Sequence, residues 1–394
     1  MTELKFINNN GRQDGPACCE TSRQAKKAYG SLSPQSGVPG PEVNQAGWVV
    51  GSLMTEVGPV WKVSTCLALS DLWEHFKCRI SAFRNSYLVI PGLYAVGTPD
   101  KNSDVLVSAN YKLSFDALRK TLKGLDVWVL VLDTKGINVW CAAGKGTFGT
   151  EELLSRIATT RLDKVVDHRR IIVPQLGAPG ISAHKVGKAS GFRVNYGPVR
   201  AEDIRAYIAE GYHATKEMRT VDFPVIDRLV LTPMEINPAM KKYYPWYALA
   251  MLAFFGLQPG GILFREALLG SLPFLLFGLI SVLAGAFITP VLLPFIPFRS
   301  FAVKGWLAGI LSIIVVLKTT ALLSLTNTFL LVFSYLFFPL ASSYIALQFT
   351  GSTTFTGMSG VKKELKISIP LYIGGSLVSL VLLIVYKLGE WRII

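Results

Sequence analysis

Apolar and polar positions divide the chain into three stretches. Residues 1–45 are polar and rich in Gly, Pro and Ser, the composition of a disordered tail. From 46 to about 240, short apolar runs alternate with helical patterns. From 241 to the end, apolar runs become long enough to cross a bilayer. In the middle stretch, 86–97 and 103–110 read as buried strands with loop residues at their ends. FDALRKTL at 115–122 spaces its apolar residues as a helix does, with Ser114 as its N-cap. VWVLVLD at 127–133 is a continuous apolar run, as in a strand buried on both faces. A short helix follows at 150–157 with acids in its first turn. Strands follow at 169–175 and 192–199, and an amphipathic helix runs over 201–211 to a glycine stop.

This alternation predicts an α/β domain, Rossmann-like, with a mostly parallel sheet and helices on its faces. Ligands of such sheets bind beyond the carboxyl ends of the strands. Three glycine-bearing loops after strands are therefore the places to search: 96–99, 141–146 and 176–180.

The last stretch predicts an all-α transmembrane domain of about five helices, near 245–264, 271–296, 306–325, 328–347 and 370–386. The first is interrupted by Gln-Pro-Gly-Gly and reads as short, kinked or re-entrant. Arg299 and Lys304 lie between the second and third spans. Lys362, Lys363 and Lys366 lie before the fifth. The positive-inside rule then places the 46–240 domain in the cytoplasm, attached to the cytoplasmic (inner) membrane by a multi-pass anchor in lipid. Lys318 falls inside a span, where it either marks a path or snorkels to an edge.

Composition changes this picture little. Mean hydropathy is +0.40, and 17% of residues are charged, below the quarter usual for soluble domains. The net charge of +14 fits basic loops beside membrane spans. No RRM-type or zinc-finger pattern occurs, so nucleic acid is not the expected partner. The five cysteines, Cys18, Cys19, Cys66, Cys78 and Cys141, form no CxxC pair. No iron–sulfur cluster or zinc site is expected from them, and a reducing compartment suits their odd number. Cys18 and Cys19 fall in the tail.

Cys141 stands apart. It follows Ile137-Asn138-Val139-Trp140, a strand-like run at the expected ligand-binding end of the sheet. Ala142, Ala143 and Gly144 beside it are small enough for a flat group to approach closely. Lys145 adds positive charge that favours thiolate. The bland alternative is a buried cysteine acting as a small hydrophobe. His75, His168, His184 and His213 form no nucleophile–base pattern with it, and no GxxxxGK[ST] loop is present. What remains is a soft axial ligand to a metal already held by a macrocycle.

The run Asn138-Val139-Trp140-Cys141-Ala142-Ala143-Gly144-Lys145 resembles, at all eight positions, the signature of the HgcA family, membrane-anchored corrinoid proteins of microbial mercury methylation. The middle domain is also similar to the corrinoid-binding domain of the corrinoid iron–sulfur protein large subunit, which has neither the cysteine nor the membrane tail. The resemblance implies that residues 138–145 form a cap helix over the corrin, so that the strand reading through Trp140 gives way to a helix. It implies Cys141 as lower axial ligand of cobalt in a cobalamin-type corrinoid. A thiolate trans to a methyl group should make that methyl carbanion-like and labile toward the soft electrophile Hg(II). The implied partners are a folate-linked methyl donor and its methyltransferase, and a separate ferredoxin-like iron–sulfur protein, HgcB, as electron donor.

Thr98, Ser108 and Asn110 end strand-like runs and are candidates to bond corrin amides. Gly177, Gly180 and Gly191 are candidates for close approach. Ordinary turn chemistry is the alternative for each. Ser182-Ala183-His184 only partly matches the D-x-H of histidine-ligating corrinoid proteins, and leaves His184 a weak rival to Cys141. Two other functions stay open. One is a corrinoid methyl carrier of one-carbon, acetyl-CoA-pathway-like metabolism. The other is a transporter with a regulatory soluble domain.

Overall fold

The computed structural model describes residues 47–320, 327–353 and 355–393. The expected tail with Cys18 and Cys19, and the end of the span expected at 306–325, lie outside the described residues. The chain separates into two compact units, one ending at Asp222 and the other beginning at Phe223.

The first unit is built on a seven-stranded sheet in the order β1-β2-β3-β5-β4-β6-β7. The strands are β1 (Val49–Thr55), β2 (Gly58–Val63), β3 (Gly92–Val96), β4 (Val105–Ala109), β5 (Val127–Leu132), β6 (Arg170–Val173) and β7 (Arg193–Tyr196). Strands β4 to β7 run parallel, and β2 runs parallel to β3. The expected mostly parallel sheet is present, with two antiparallel joints, β1–β2 and β3–β5. The central strands β3, β4 and β5 are buried throughout. This is what a continuous apolar run produces when helices cover both faces.

One face carries α3 (Val139–Lys145), α4 (Thr150–Thr159), α5 (Leu162–Val165) and α6 (Ala183–Ser190). Their inner residues Ala142, Leu153, Ile157, Leu162 and Val186 join Val107, Leu130 and Val173 in one core. The other face carries α2 (Lys112–Thr121) and α7 (Ile204–Ala209), with Phe115, Leu118 and Tyr207 packed on Leu106 and Val129. Helix α2 starts earlier than the sequence pattern indicated. Its N-cap position is Tyr111, not Ser114.

Outside α2 lies α1 (Leu69–Ile80), joined to it by buried charge. Lys112 Nζ bonds Asp116 Oδ1 at 2.6 Å and Asp71 Oδ1 at 3.2 Å. Arg119 reaches Asp116 at 2.6 Å and Asp71 at 2.7 Å, and His75 Nε2 lies 2.8 Å from Asp116 Oδ2. Two carboxylates face two permanent cations, so the buried network carries its own neutralisation. Burial pushes the Asp116 carboxyl up, but the His75 bond and the Lys112 and Arg119 charges outweigh it and hold the pKa at about 2.

The second unit is helical. Helices α8 (Val225–Pro238) and α9 (Tyr244–Gly256) are joined by a π-helical turn, Ala239–Tyr243. This continuous helical stretch begins at Val225, ahead of residue 240. The expected span at 245–264 is not one helix. Helix α9 has 13 residues, about 20 Å, and stops at a small hairpin of β8 (Leu257–Gln258) and β9 (Gly261–Ile262). Pro259 and Gly260 make the turn, and Gly261 sits at φ 121°.

Four helical stretches are long and apolar enough to cross a membrane: Phe264–Val291, Phe301–Thr319, Thr328–Gly351 and Ser359–Glu390. The first ends before Pro294 and Pro297, which cannot continue a helix. Within them are α10 (Phe264–Leu283), α11 (Thr289–Val291), α12 (Phe301–Thr319), α13 (Thr328–Gln348) and α14 (Met358–Glu390). Gly305 and Gly309 of α12 let α13 approach: a Cβ on Gly309 would stand 2.7 Å from Ser342 Cβ. Small residues at such spacing are the membrane solution to close helix packing. Glu364 accepts from Ser300 Oγ and Ala302 N, both at 3.1 Å. The basic groups near Arg299 and Lys362 therefore lie at one end of the bundle. Lys318 is exposed in the last turn of α12 rather than mid-span.

Candidate functional site

The eight-residue run forms a capped helix. Asn138 is extended (φ −63°, ψ 160°), and its Oδ1 accepts from Cys141 N at 2.9 Å. Helix α3 then runs about two turns to Gly146, left-handed at φ 80°. Strand character through Trp140 is thus replaced by a helix from Val139, because the asparagine cap satisfies an otherwise orphaned donor of the first turn.

The helix has two distinct faces. Ala142 and Ala143 are buried against the sheet and the turn after β6. Trp140, Cys141, Gly144 and Lys145 form the outward stripe, since residues one turn apart share a face. Trp140 is 39% exposed, Cys141 is half-buried, and Gly144 and Lys145 are exposed. A Cβ added to Gly144 would meet nothing within 4 Å. Of the three small neighbours of Cys141, only Gly144 opens its approach; the two alanines serve packing. The thiol therefore lies on a short helical platform with a glycine beside it, where a flat ligand meets backbone instead of a side chain. Cys141 is in no disulfide. Among the described residues no group of three His, Cys, Asp or Glu comes together to hold a metal ion.

The platform stands at the carboxyl ends of β4 and β5, and Asn110 fixes it there. Fully buried, Asn110 accepts at Oδ1 from Thr134 N (3.1 Å), Thr134 Oγ1 (2.8 Å) and Gly136 N (3.0 Å). Its amide donates to Asp133 Oδ1 at 3.3 Å. Asn110 thus builds the turn that launches α3. Thr134 and Glu152, whose Oε1 accepts from Asp133 N at 2.8 Å, belong to the same support and were missed from sequence. Phe148 is fully buried and holds the exit of α3. A Cβ on Gly177 would stand 2.4 Å from its ring, and one on Gly180 would stand 2.1 Å from Phe148 O and 3.1 Å from Ala143 Cα. Both glycines make their close approaches inside the fold, behind the cap helix.

The other sequence candidates separate. Strand β3 runs antiparallel to β5, so the loop after it lies at the opposite end of the strands, beside the start of β5. There Thr98 N bonds Asp126 Oδ1 at 2.6 Å, just ahead of β5. Ser108 is buried and, by strand alternation, points with Leu106 to the face opposite α3. Gly191 ends α6 at φ 75°, at the amino end of β7. Exposed His184 lies on α6 with Lys188 and Arg193 along a shallow groove of about 490 Å³. On the cap side, Tyr111 is within electrostatic reach of Arg84, Cys78, Arg79 and Cys141; burial is the main cause raising its hydroxyl pKa.

Residues 83–207, which hold this site, match the family model described as CO dehydrogenase/acetyl-CoA synthase delta subunit. A gamma subunit of the acetyl-CoA decarbonylase/synthase complex from Methanopyrus kandleri is 31% identical over 143 residues, covering 36% of this chain and 30% of that one. The gamma subunit from Methanocaldococcus jannaschii is 34% identical over 116 residues, 27% and 24% of the two chains. The corrinoid/iron-sulfur protein large subunit of Moorella thermoacetica is 27% identical over 165 residues, 39% and 36%. The chain thus spans about a third or less of the length of these relatives. The family-model match lies within the α/β unit of this chain.

Proposed function

We propose that the α/β unit binds a corrinoid and that Cys141 is its lower axial ligand. The observation that carries this is the outward stripe of α3, a half-buried thiol beside a glycine with open space in front. The residues present fit the group. Trp140, Cys141, Gly144 and Lys145 offer a soft ligand, an aromatic edge, a gap and a cation on one surface. A bound corrinoid supplies a cobalt able to carry a methyl group. Cys141 would hold that cofactor, the capped helix would orient it, and the sulfur would donate charge more strongly than histidine or water.

With Hg(II) as acceptor, the protein would be a corrinoid-dependent methyltransferase producing methylmercury. Support for this finer reading is the eight-residue motif now folded as a capped helix, together with four apolar helices in the same chain. A folate-linked methyltransferase would load the methyl group, and a ferredoxin-like partner of the HgcB type would return electrons. The second reading, a methyl carrier of one-carbon metabolism, is favoured more directly by the comparisons, since the similar proteins carry acetyl-CoA decarbonylase/synthase names. That reading also implies protein partners in a complex.

Substitution at Cys141 tests both. Cys141→Ala should retain corrinoid, held by many contacts, while losing the thiolate-dependent absorption and most methyl transfer to Hg(II). Cys141→His should keep a ligand and transfer more slowly; Cys141→Thr should behave as the alanine variant. Near wild-type mercury methylation by the alanine and threonine variants would refute the ligand role. Methyl transfer only to a one-carbon acceptor by the unaltered chain would select the second reading.

A further inference from the structure

Helix α1 is inside-out. Its inward side carries Asp71 and His75, bound into the ion network, and the buried Cys78. Its outward side carries Leu69, Leu72, Trp73, Phe76 and Ile80. Leu69 is 85% exposed, Trp73 60% and Phe76 51%, and the Trp73 and Phe76 rings stack at 5.4 Å. At about 100° per residue, these five residues fall within a sector of roughly 100°. Lys77 and Arg79 flank that sector at about 80° on either side, and Asp71 and Cys78 lie opposite. Lys77 Nζ lies 4.4 Å from the Phe83 ring centre, extending the apolar margin beyond the helix.

An apolar stripe of Leu, Trp, Phe and Ile bordered on both sides by basic residues is the pattern of a helix lying in a lipid–water interface. Aliphatic stems of such lysines and arginines cover apolar surface while their charged heads reach headgroups. An acidic rim, as for a basic protein partner, is missing from these flanking positions. We propose that α1 docks the α/β unit onto the surface of an anionic bilayer, with the apolar stripe in the acyl–headgroup boundary and Lys77 and Arg79 against lipid phosphates. The inference rests on the reading that the apolar helices of the second unit span that bilayer. They would hold α1 at high effective concentration near lipid, so weak interfacial binding suffices.

The test uses the full chain reconstituted in vesicles, with a protease site placed after Asp222 and cut only after reconstitution. Uncut chain must sediment with the vesicles; if it does not, the membrane reading itself fails. After cutting, the α/β unit should sediment with vesicles containing phosphatidylglycerol and be released from pure phosphatidylcholine vesicles. Lys77→Glu and Arg79→Glu should each lower retention by about fivefold. Trp73→Ser with Phe76→Ser should abolish it. All four positions lie outside the core, and an unchanged circular dichroism spectrum confirms that the variants fold. Release from both vesicle types overturns the proposal. Equal retention on both, and in detergent micelles, also overturns it, because the unit is then held by protein.

Discussion

Replacing Asn110 with alanine probes how the cap helix is held. One side-chain oxygen accepts from three donors of the turn 133–136, at 2.8 to 3.1 Å. The three losses differ. Thr134 Oγ1 also donates to Ile137 O at 2.7 Å, and Thr134 N also approaches Leu132 O at 3.1 Å, so both keep an acceptor. Gly136 N, at φ 72°, is left buried with its bond removed, which costs about 1–3 kcal/mol. The two weakened bonds and the lost amide bond to Asp133 add about 0.5 kcal/mol each or slightly more. The total is about 3 kcal/mol, concentrated in the turn. Hydrogen exchange of the peptide spanning 133–146 should therefore accelerate about 100-fold in Asn110→Ala, while peptides of the bundle stay unchanged. Asn110→Asp retains an acceptor and should fall between alanine and wild type, with a second carboxylate set beside Asp133. If the alanine variant exchanges as wild type does, the turn is held by something else and Asn110 is available to a ligand.

Two further outcomes follow from the described contacts. Asp116 has a depressed pKa of about 2 in the fold against about 3.9 when unfolded. Its contribution of roughly 2 kcal/mol is present above pH 4 and lost as pH falls from 4 toward 2; an acid titration of unfolding should show that loss and Asp116→Asn should remove it. Gly144→Ala should leave the fold intact and lower the corrinoid content of the purified protein, measured by visible absorption; undiminished corrinoid would place the cofactor elsewhere.

The alternation of short apolar runs with helical patterns was enough to expect a mostly parallel sheet: β5 is uninterrupted apolar sequence, and β4 and β6 carry shorter apolar runs. Strand direction was not legible in the same way. Thr98 and Asn110 each follow a buried strand in sequence, yet stand at opposite ends of the strands, since β3 alone of the central strands reverses. No local residue encodes that reversal; it comes from pairing between segments about 35 residues apart. The long apolar helices were legible from length and hydropathy, and the Gln-Pro-Gly-Gly interruption marks the place where α9 stops at a hairpin. The motif at 138–145 could be read as a unit, but its division into packing and presenting residues required the helix itself.

That division bears on why Cys141 is there. A glycine inside a helix costs about 1 kcal/mol relative to alanine, and such a cost is ordinarily offset by a close backbone approach. Gly309 of α12 shows the ordinary case: a Cβ there would stand 2.7 Å from Ser342 Cβ and 2.9 Å from Pro339 Cα. Gly144 has no such contact, so packing within the described chain gives no return for it. A cysteine kept as a small hydrophobe belongs at positions 142 or 143, where burial is complete or nearly so, and alanines occupy both. The cap helix thus uses alanine where it packs and places cysteine and glycine on its outward stripe, the arrangement on which the proposed corrinoid contact rests.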